Sequence, residues 1–177
     1  DFHAIEVGST FEVEIVAQRD FSVAIEADDN LLPLIETEVR RGVLRIKTQR
    51  KLSSENPLKI RIFAPDIDAL EVSGAARLSV TGLKNAGIAI DSSGASKIKL
   101  EGETAKLTVD VSGASQVEAE ELKADTAIID ASGASHVDVN VKGELKTDAS
   151  GASRISYTGT PTSVVTKKSG SSSVTQK

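Results

Sequence analysis

The tripeptide Ser-Gly-Ala recurs along this chain at Ser73, Ser93, Ser112, Ser132 and Ser150, and a degenerate copy, Ser-Gly-Ser, begins at Ser169. The starts are 20, 19, 20, 18 and 19 residues apart. Four copies extend backward to an aspartate two positions earlier, at Asp91, Asp110, Asp130 and Asp148. A period this constant marks a repeat architecture, in which one unit cannot bury its apolar side alone and stacked units can.

The residues after each corner alternate strictly between polar and apolar. Examples are Lys97-Ile98-Lys99-Leu100, Gln116-Val117-Glu118-Ala119 and His136-Val137-Asp138-Val139. The residues before each corner do the same, with Ile88 and Ile90, Leu107 and Val109, and Ala127 and Ile129 at equivalent places. That is the period of a half-buried strand, and a helix would need apolar residues three and four apart. Gly82, Gly102, Gly143 and Gly159 fall between the strands and read as turns. The pattern predicts an all-β fold. Its body is a parallel β-helix, a solenoid of about 19 residues per rung, with five to six rungs over residues 71–168. The general preference of parallel crossovers predicts a right-handed coil. Leu78, Ile98, Val117, Val137 and Ile155 are expected to stack in one inward column.

Residues 1–70 follow a different pattern. Phe11–Val16, Phe21–Glu26, Val43–Lys47 and Leu58–Phe63 read as strands, Asn30–Ile35 as a helical turn or corner, and Arg40-Arg41-Gly42 as a hairpin tip. Lys51–Pro57 is a polar loop. The region is expected to be an N-terminal β cap that covers one end of the solenoid. The Ser- and Lys-rich segment 169–177 is expected to be a flexible tail.

Composition removes whole classes of function. The chain has no Cys, so disulfides, zinc–thiolate sites, iron–sulfur clusters and cysteine nucleophiles are excluded. A net charge of −5 opposes binding to nucleic acid, whose phosphates require a basic surface. No apolar run reaches the 18 or so residues of a membrane-spanning helix. Phosphate-binding loops, dinucleotide fingerprints and His-Glu zinc motifs are absent, and no cofactor is expected. The chain also lacks Met, which removal of an N-terminal export signal would account for.

Several of these features together resemble a known family. The Phe11–Val16 strand, the Asp29-Asn30-Leu31-Leu32 region, Ala64-Pro65 before the first unit and the five Ser-Gly-Ala copies are similar to the putative auto-transporter adhesin head GIN domain. The resemblance covers roughly residues 2–168. It implies a β-helical, exported protein of the bacterial cell envelope, in the periplasm, at the outer membrane or on the cell surface. It brings no catalytic motif.

The repeated polar residues are the candidate sites. A serine nucleophile needs a histidine base and an orienting acid. The histidines are His3 and His136, and His136 directly follows Ser135, which on a strand turns the two side chains to opposite faces. Six copies of one serine fit a structural role better: glycine takes the corner, and the hydroxyls bond to the backbone and to one another. Asp91, Asp110, Asp130 and Asp148 should project from neighbouring rungs. Two charges about 4.8 Å apart repel by about 0.9 kcal/mol even in water. Local capping of each carboxylate by corner N–H groups is the expected compensation. A Ca²⁺ shared by two rungs of this row (Asp91, Asp110, Asp130, Asp148) and pairing with Lys97 or Arg154 are the alternatives. No catalytic residue is assigned. The resulting expectation is a non-enzymatic surface-interaction module of adhesin type, with an unidentified protein or glycan partner. Association with a second copy is the least demanding contact. The competing readings are a spacer without a ligand and a glycan-binding or glycan-cleaving β-helix.

Overall fold

In a computed structural model, which describes residues 1–48 and 58–177, the chain is a parallel β-solenoid. Its strands in chain order are β1 (Ala4–Val7), β2 (Phe11–Ala17), β3 (Ser22–Glu26), β4 (Ile35–Arg40), β5 (Val43–Thr48), β6 (Leu58–Ala64), β7 (Ala69–Val72), β8 (Arg77–Asn85), β9 (Ile88–Ser92), β10 (Lys97–Val111), β11 (Gln116–Ala131), β12 (His136–Ala149), β13 (Arg154–Thr158), β14 (Ser163–Lys168) and β15 (Ser173–Gln176). A 3₁₀ turn, Leu32–Leu34, falls within the segment predicted as a helical turn or corner.

Two faces run the length of the rod. The first stacks β3, β6, β2, β8, the leading halves of β10, β11 and β12, then β13 and β15. The second stacks β4, β5, β1, β7, β9, the trailing halves of β10, β11 and β12, then β14. Every pairing is parallel except β3 with β6 and β4 with β5 at the N-terminal end.

The predicted inward column is present and longer than expected. Ile60, Val13, Leu78, Ile98, Val117, Val137, Ile155 and Val174 stand opposite one another from strand to strand. From Ile60 to Ile155 all are buried. On the other face Leu44, Ile5, Leu70, Ile90, Val109, Ile129 and Thr147 form a second column. From β7 onward the core is thus two facing walls of aliphatic side chains, while Phe2 and Phe11 are buried in the core of the first coil.

The Ser-Gly-Ala corners join the two faces. Gly74, Gly94, Gly113, Gly133, Gly151 and Gly170 all have positive φ, between 67° and 87°. Stacking adds a second requirement. The N–H of Ala114 donates to the Gly94 carbonyl at 2.8 Å, and that of Ala134 to the Gly113 carbonyl at 2.8 Å. A Cβ on Gly113 would lie 2.5 Å from the Gly94 oxygen. The column begins at a residue that is not glycine: Ser9, with φ of 76°, accepts from the Ala75 N–H at 2.9 Å.

Three expectations are corrected. First, residues 1–70 do more than cap. β1 and β2 form a coil lying between the β5–β6 coil and the β7–β8 coil, paired in parallel on both sides. Only β3 and β4 run against the stack. Second, segment 169–177 is not a loose tail: Ser173–Gln176 pairs with β13 in register, because its Val174 continues the inward column above Ile155. Third, of the glycines read as turns only Gly159, just past β13, ends a strand. Gly82, Gly102 and Gly143 lie inside β8, β10 and β12, where the chain bends while its ladder continues. The Lys51–Pro57 loop lies outside the described residues.

Candidate contact faces of the solenoid

The four predicted aspartates stand in one row. Asp91 faces Asp110, Asp110 faces Asp130, and Asp130 faces Asp148 across neighbouring strands. The row is longer than the repeat indicated. Glu71 precedes Asp91 and Glu6 precedes Glu71, so six carboxylates occupy consecutive strands of the second face. Their offset carried the signal: Glu71-Val72-Ser73-Gly74 matches Asp-x-Ser-Gly with glutamate for aspartate. Arg45 borders the row at one end and Lys167 at the other. The Arg45 guanidinium holds the Glu6 carboxylate at 2.6 Å.

The repulsion is visible at the row's interior. The Asp130 carboxyl lies above the ordinary aspartate range, first because of partial desolvation and then because of the Asp110 and Asp148 charges. The expected local caps are not formed: among the described residues no donor reaches Asp91, Asp110, Asp130 or Asp148. The physical reason is the stacking itself. The corner N–H groups of Ser112 and Ala114 are already spent on Ser92 and Gly94 one coil below. Pairing with Lys97 or Arg154 fails as well, because both residues sit on the other face. Lys97 there binds Glu118 at 2.7 Å. Each of the four aspartates leaves its own strand. Among the described residues no three His, Cys, Asp or Glu side chains group as metal ligands would.

Across the corner, the first face carries a row of opposite character: Arg77, Lys97, Gln116, His136 and Arg154. Beside it the charges are mutually satisfied. Gln116 donates to Glu118 at 2.8 Å, and the His136 ring meets Asp138 at 2.9 Å. Asp138, buried among its neighbours, also receives Lys177, the residue after β15, at 2.8 Å, and the same ammonium binds Glu120. Lys99 lies between Glu101 and Glu121, and the Glu101 bond is foremost in raising its pKa.

The serines behave as structure. Ser92, Ser96, Ser115, Ser135 and Ser153 are buried inside the corner. Ser115 and Ser135 donate to the carbonyls of Ser112 and Ser132, at 3.1 and 3.0 Å. The Ser96 hydroxyl lies 2.5 Å from Ser92 Oγ and donates to Ser115 one coil on. Each histidine does have a carboxylate, which motif spacing did not reveal for His3. His3 Nδ1 meets Asp68 Oδ1 at 2.8 Å. His136 and Asp138 are two apart on one strand face, where the sequence could have shown the pair. Ser135 bonds elsewhere, so these groups assemble no nucleophile–base pair.

Comparison with known proteins agrees with this geometry. The sequence profile of a family described as "putative auto-transporter adhesin, head GIN domain" matches residues 1–161. A putative adhesin from Bacteroides fragilis is similar in structure, at 19% identity and a TM-score of 0.81, over 100% of this chain and 93% of that one. A putative adhesin from Parabacteroides merdae aligns at 17% identity and a TM-score of 0.59, over 100% and 92%. A protein described as a putative lipid binding protein, from Parabacteroides distasonis, aligns at 16% identity and 0.57, over 100% and 93%. No curated protein matches the sequence. No helix of the described residues is long and apolar enough to cross a membrane.

Proposed function

Because the chain belongs to the putative auto-transporter adhesin head GIN domain family, we propose that it is an exported, non-enzymatic module of the cell envelope that works by extended surface contact. One observation carries this reading. The exposed polar groups are arranged as in-register rows of like residues on successive strands, from Glu6 to Asp148 on one face and Arg77 to Arg154 on the other. Catalysis needs unlike groups converging on one point. A row repeated at strand spacing instead suits a long, flat or polymeric partner, the usual use of a solenoid face. The adhesin description of the family and of two structural neighbours points the same way.

Partner classes separate in one experiment. The purified protein is incubated with bacterial and host polysaccharides, and both retention and product release are followed. Retention without turnover is the expected result. Turnover lost in Asp110→Asn or Asp130→Asn would make the row an active site and overturn the reading. Neither retention nor turnover would leave a spacer.

A further inference from the structure

Among the described residues the two ends of the rod leave strands unpaired in complementary ways. At the N-terminal end β3 and β4 each pair on one side only, and at the C-terminal end so do β14 and β15. Four strands therefore carry free backbone edges among the described residues. Apolar side chains of the inward columns also emerge at both ends. Val39 stands opposite the core residue Leu44 and is 48% exposed, and Val23 stands opposite Ile62 and is 38% exposed. Directly opposed residues in a strand pair share one side of the sheet, so both valines face the core side, and among the described residues no further strand stacks on them. At the other end Val164 continues the buried Leu107, Ala127 and Leu145 column and is 42% exposed. Solenoids ordinarily close such ends with polar caps.

We propose that these two ends bind each other, so that the protein stacks head to tail with further copies of itself. This goes beyond the contact function proposed above and does not depend on it. Charge decides the pairing. The outward row beginning at Glu38 runs through Arg45, the six carboxylates and Lys167. Continuing the stack in register places the exposed Lys167 of one copy opposite the exposed Glu38 of the next. Lys168 then meets Thr37, Ser173 meets Glu26, and Val174 meets Ile25. No two like charges are opposed. A tail-to-tail pair would instead crowd Lys167 and Lys168 against their own copies, which is unfavourable for facing strands. A head-to-tail contact is heterologous and does not close on itself, so growth is open-ended. The strand edges are shorter than the roughly 20–30 residues per side of a standard interface, so the association is weak.

Sedimentation equilibrium of the whole chain, up to a concentration of about 1 mM, the scale of a weak contact, tests the proposal. The weight-average mass should rise steadily above 18.6 kDa and pass the dimer without a plateau. Lys167→Glu and Glu38→Lys should each raise the concentration needed by about tenfold or more, and the double variant, or a mixture of the two, should restore assembly. Val39→Asp should act as a chain stopper, monomeric alone and shortening wild-type assemblies when mixed in. Circular dichroism on each variant separates loss of contact from loss of fold. A mass fixed at the monomer would overturn the proposal and leave the lysines as guards against edge pairing. A plateau at the dimer, or dimerisation of Val39→Asp, would overturn it in favour of a tail-to-tail pair.

Discussion

Gly113 meets two independent constraints, and they separate experimentally. Its φ of 74° strains any residue with a Cβ, and the Gly94 carbonyl, 2.5 Å from where a Cβ would sit, is backbone that the stack holds in place. Ser9 tolerates the same φ in the first coil, so the conformation alone is not prohibitive. The collision with the Gly94 carbonyl outweighs the backbone strain, and Gly113→Val should destabilise by about 1–3 kcal/mol in chemical denaturation. A loss below about 0.5 kcal/mol, the ordinary surface range, would mean that neighbouring coils move apart freely. Thr147 presents the opposite case. It occupies an inward position facing Ile129, is buried, and its Oγ1 has no hydrogen-bond partner among the described residues. Valine has nearly the same shape without the stranded hydroxyl. Thr147→Val should therefore stabilise by about 1–2 kcal/mol, the penalty for an unpaired buried hydroxyl. Unchanged or lowered stability would show that the hydroxyl has a partner in solution.

At the scale of the strand row, Asp130 converts neighbour repulsion into a measurable pH effect. Its folded pKa is raised, so the folded state holds that proton more tightly than the unfolded chain does. The associated stability is present below the unfolded carboxylate pKa of about 3.9 and is lost as pH rises through the folded value. At neutral pH the charge then works against the fold. Asp130→Asn should raise the melting temperature at pH 7 and low salt. The gain should fade below pH 4 or so, and also in about 1 M salt, because an exposed carboxylate is screened. A lower melting temperature at pH 7 would reveal a compensating partner such as a bound cation. The row was half legible in the sequence. Asp91 to Asp148 announced themselves by identical offsets, and Glu71 did so once glutamate is admitted. Glu6 did not, because Glu6-Val7-Gly8-Ser9 moves the glycine by one place and lets Ser9 take the corner. The capping expectation failed for another reason. Whether a corner N–H is free depends on the coil beneath it, which local sequence does not describe.

For the whole molecule, legibility followed the distance over which pairing is decided. Coils from residue 71 onward stack on their immediate successors, so one period of sequence contained the register of Ile98, Val117 and Val137. The first coil is instead inserted between the two coils that follow it in the chain. β1 lies between β5 and β7, and β2 between β6 and β8, an order that no local pattern encodes. The antiparallel β3 and β4 then end the stack on the N-terminal side, and Leu31 between them in the chain is buried in the core cluster. Among the described residues the C-terminal side has no antiparallel pair. β14 is exposed along its length, and β15 leans on one neighbour and on Lys177, whose bonds to Asp138 and Glu120 reach back to β12 and β11. In a stack where each coil contacts only its neighbours, opening should start where one neighbour is missing and spread inward. Native-state hydrogen exchange, at concentrations low enough to keep the chain monomeric, should show the slowest amides around Val109, Val117 and Val137. Protection should fall toward β14 and β15 more steeply than toward β3 and β4. Lys177→Ala should speed exchange in β15 several-fold and leave the centre of β11 unchanged. Uniform protection from end to end would mean that the rod opens as one cooperative unit, and that the ion pairs of Lys177 do not hold the last coil in place.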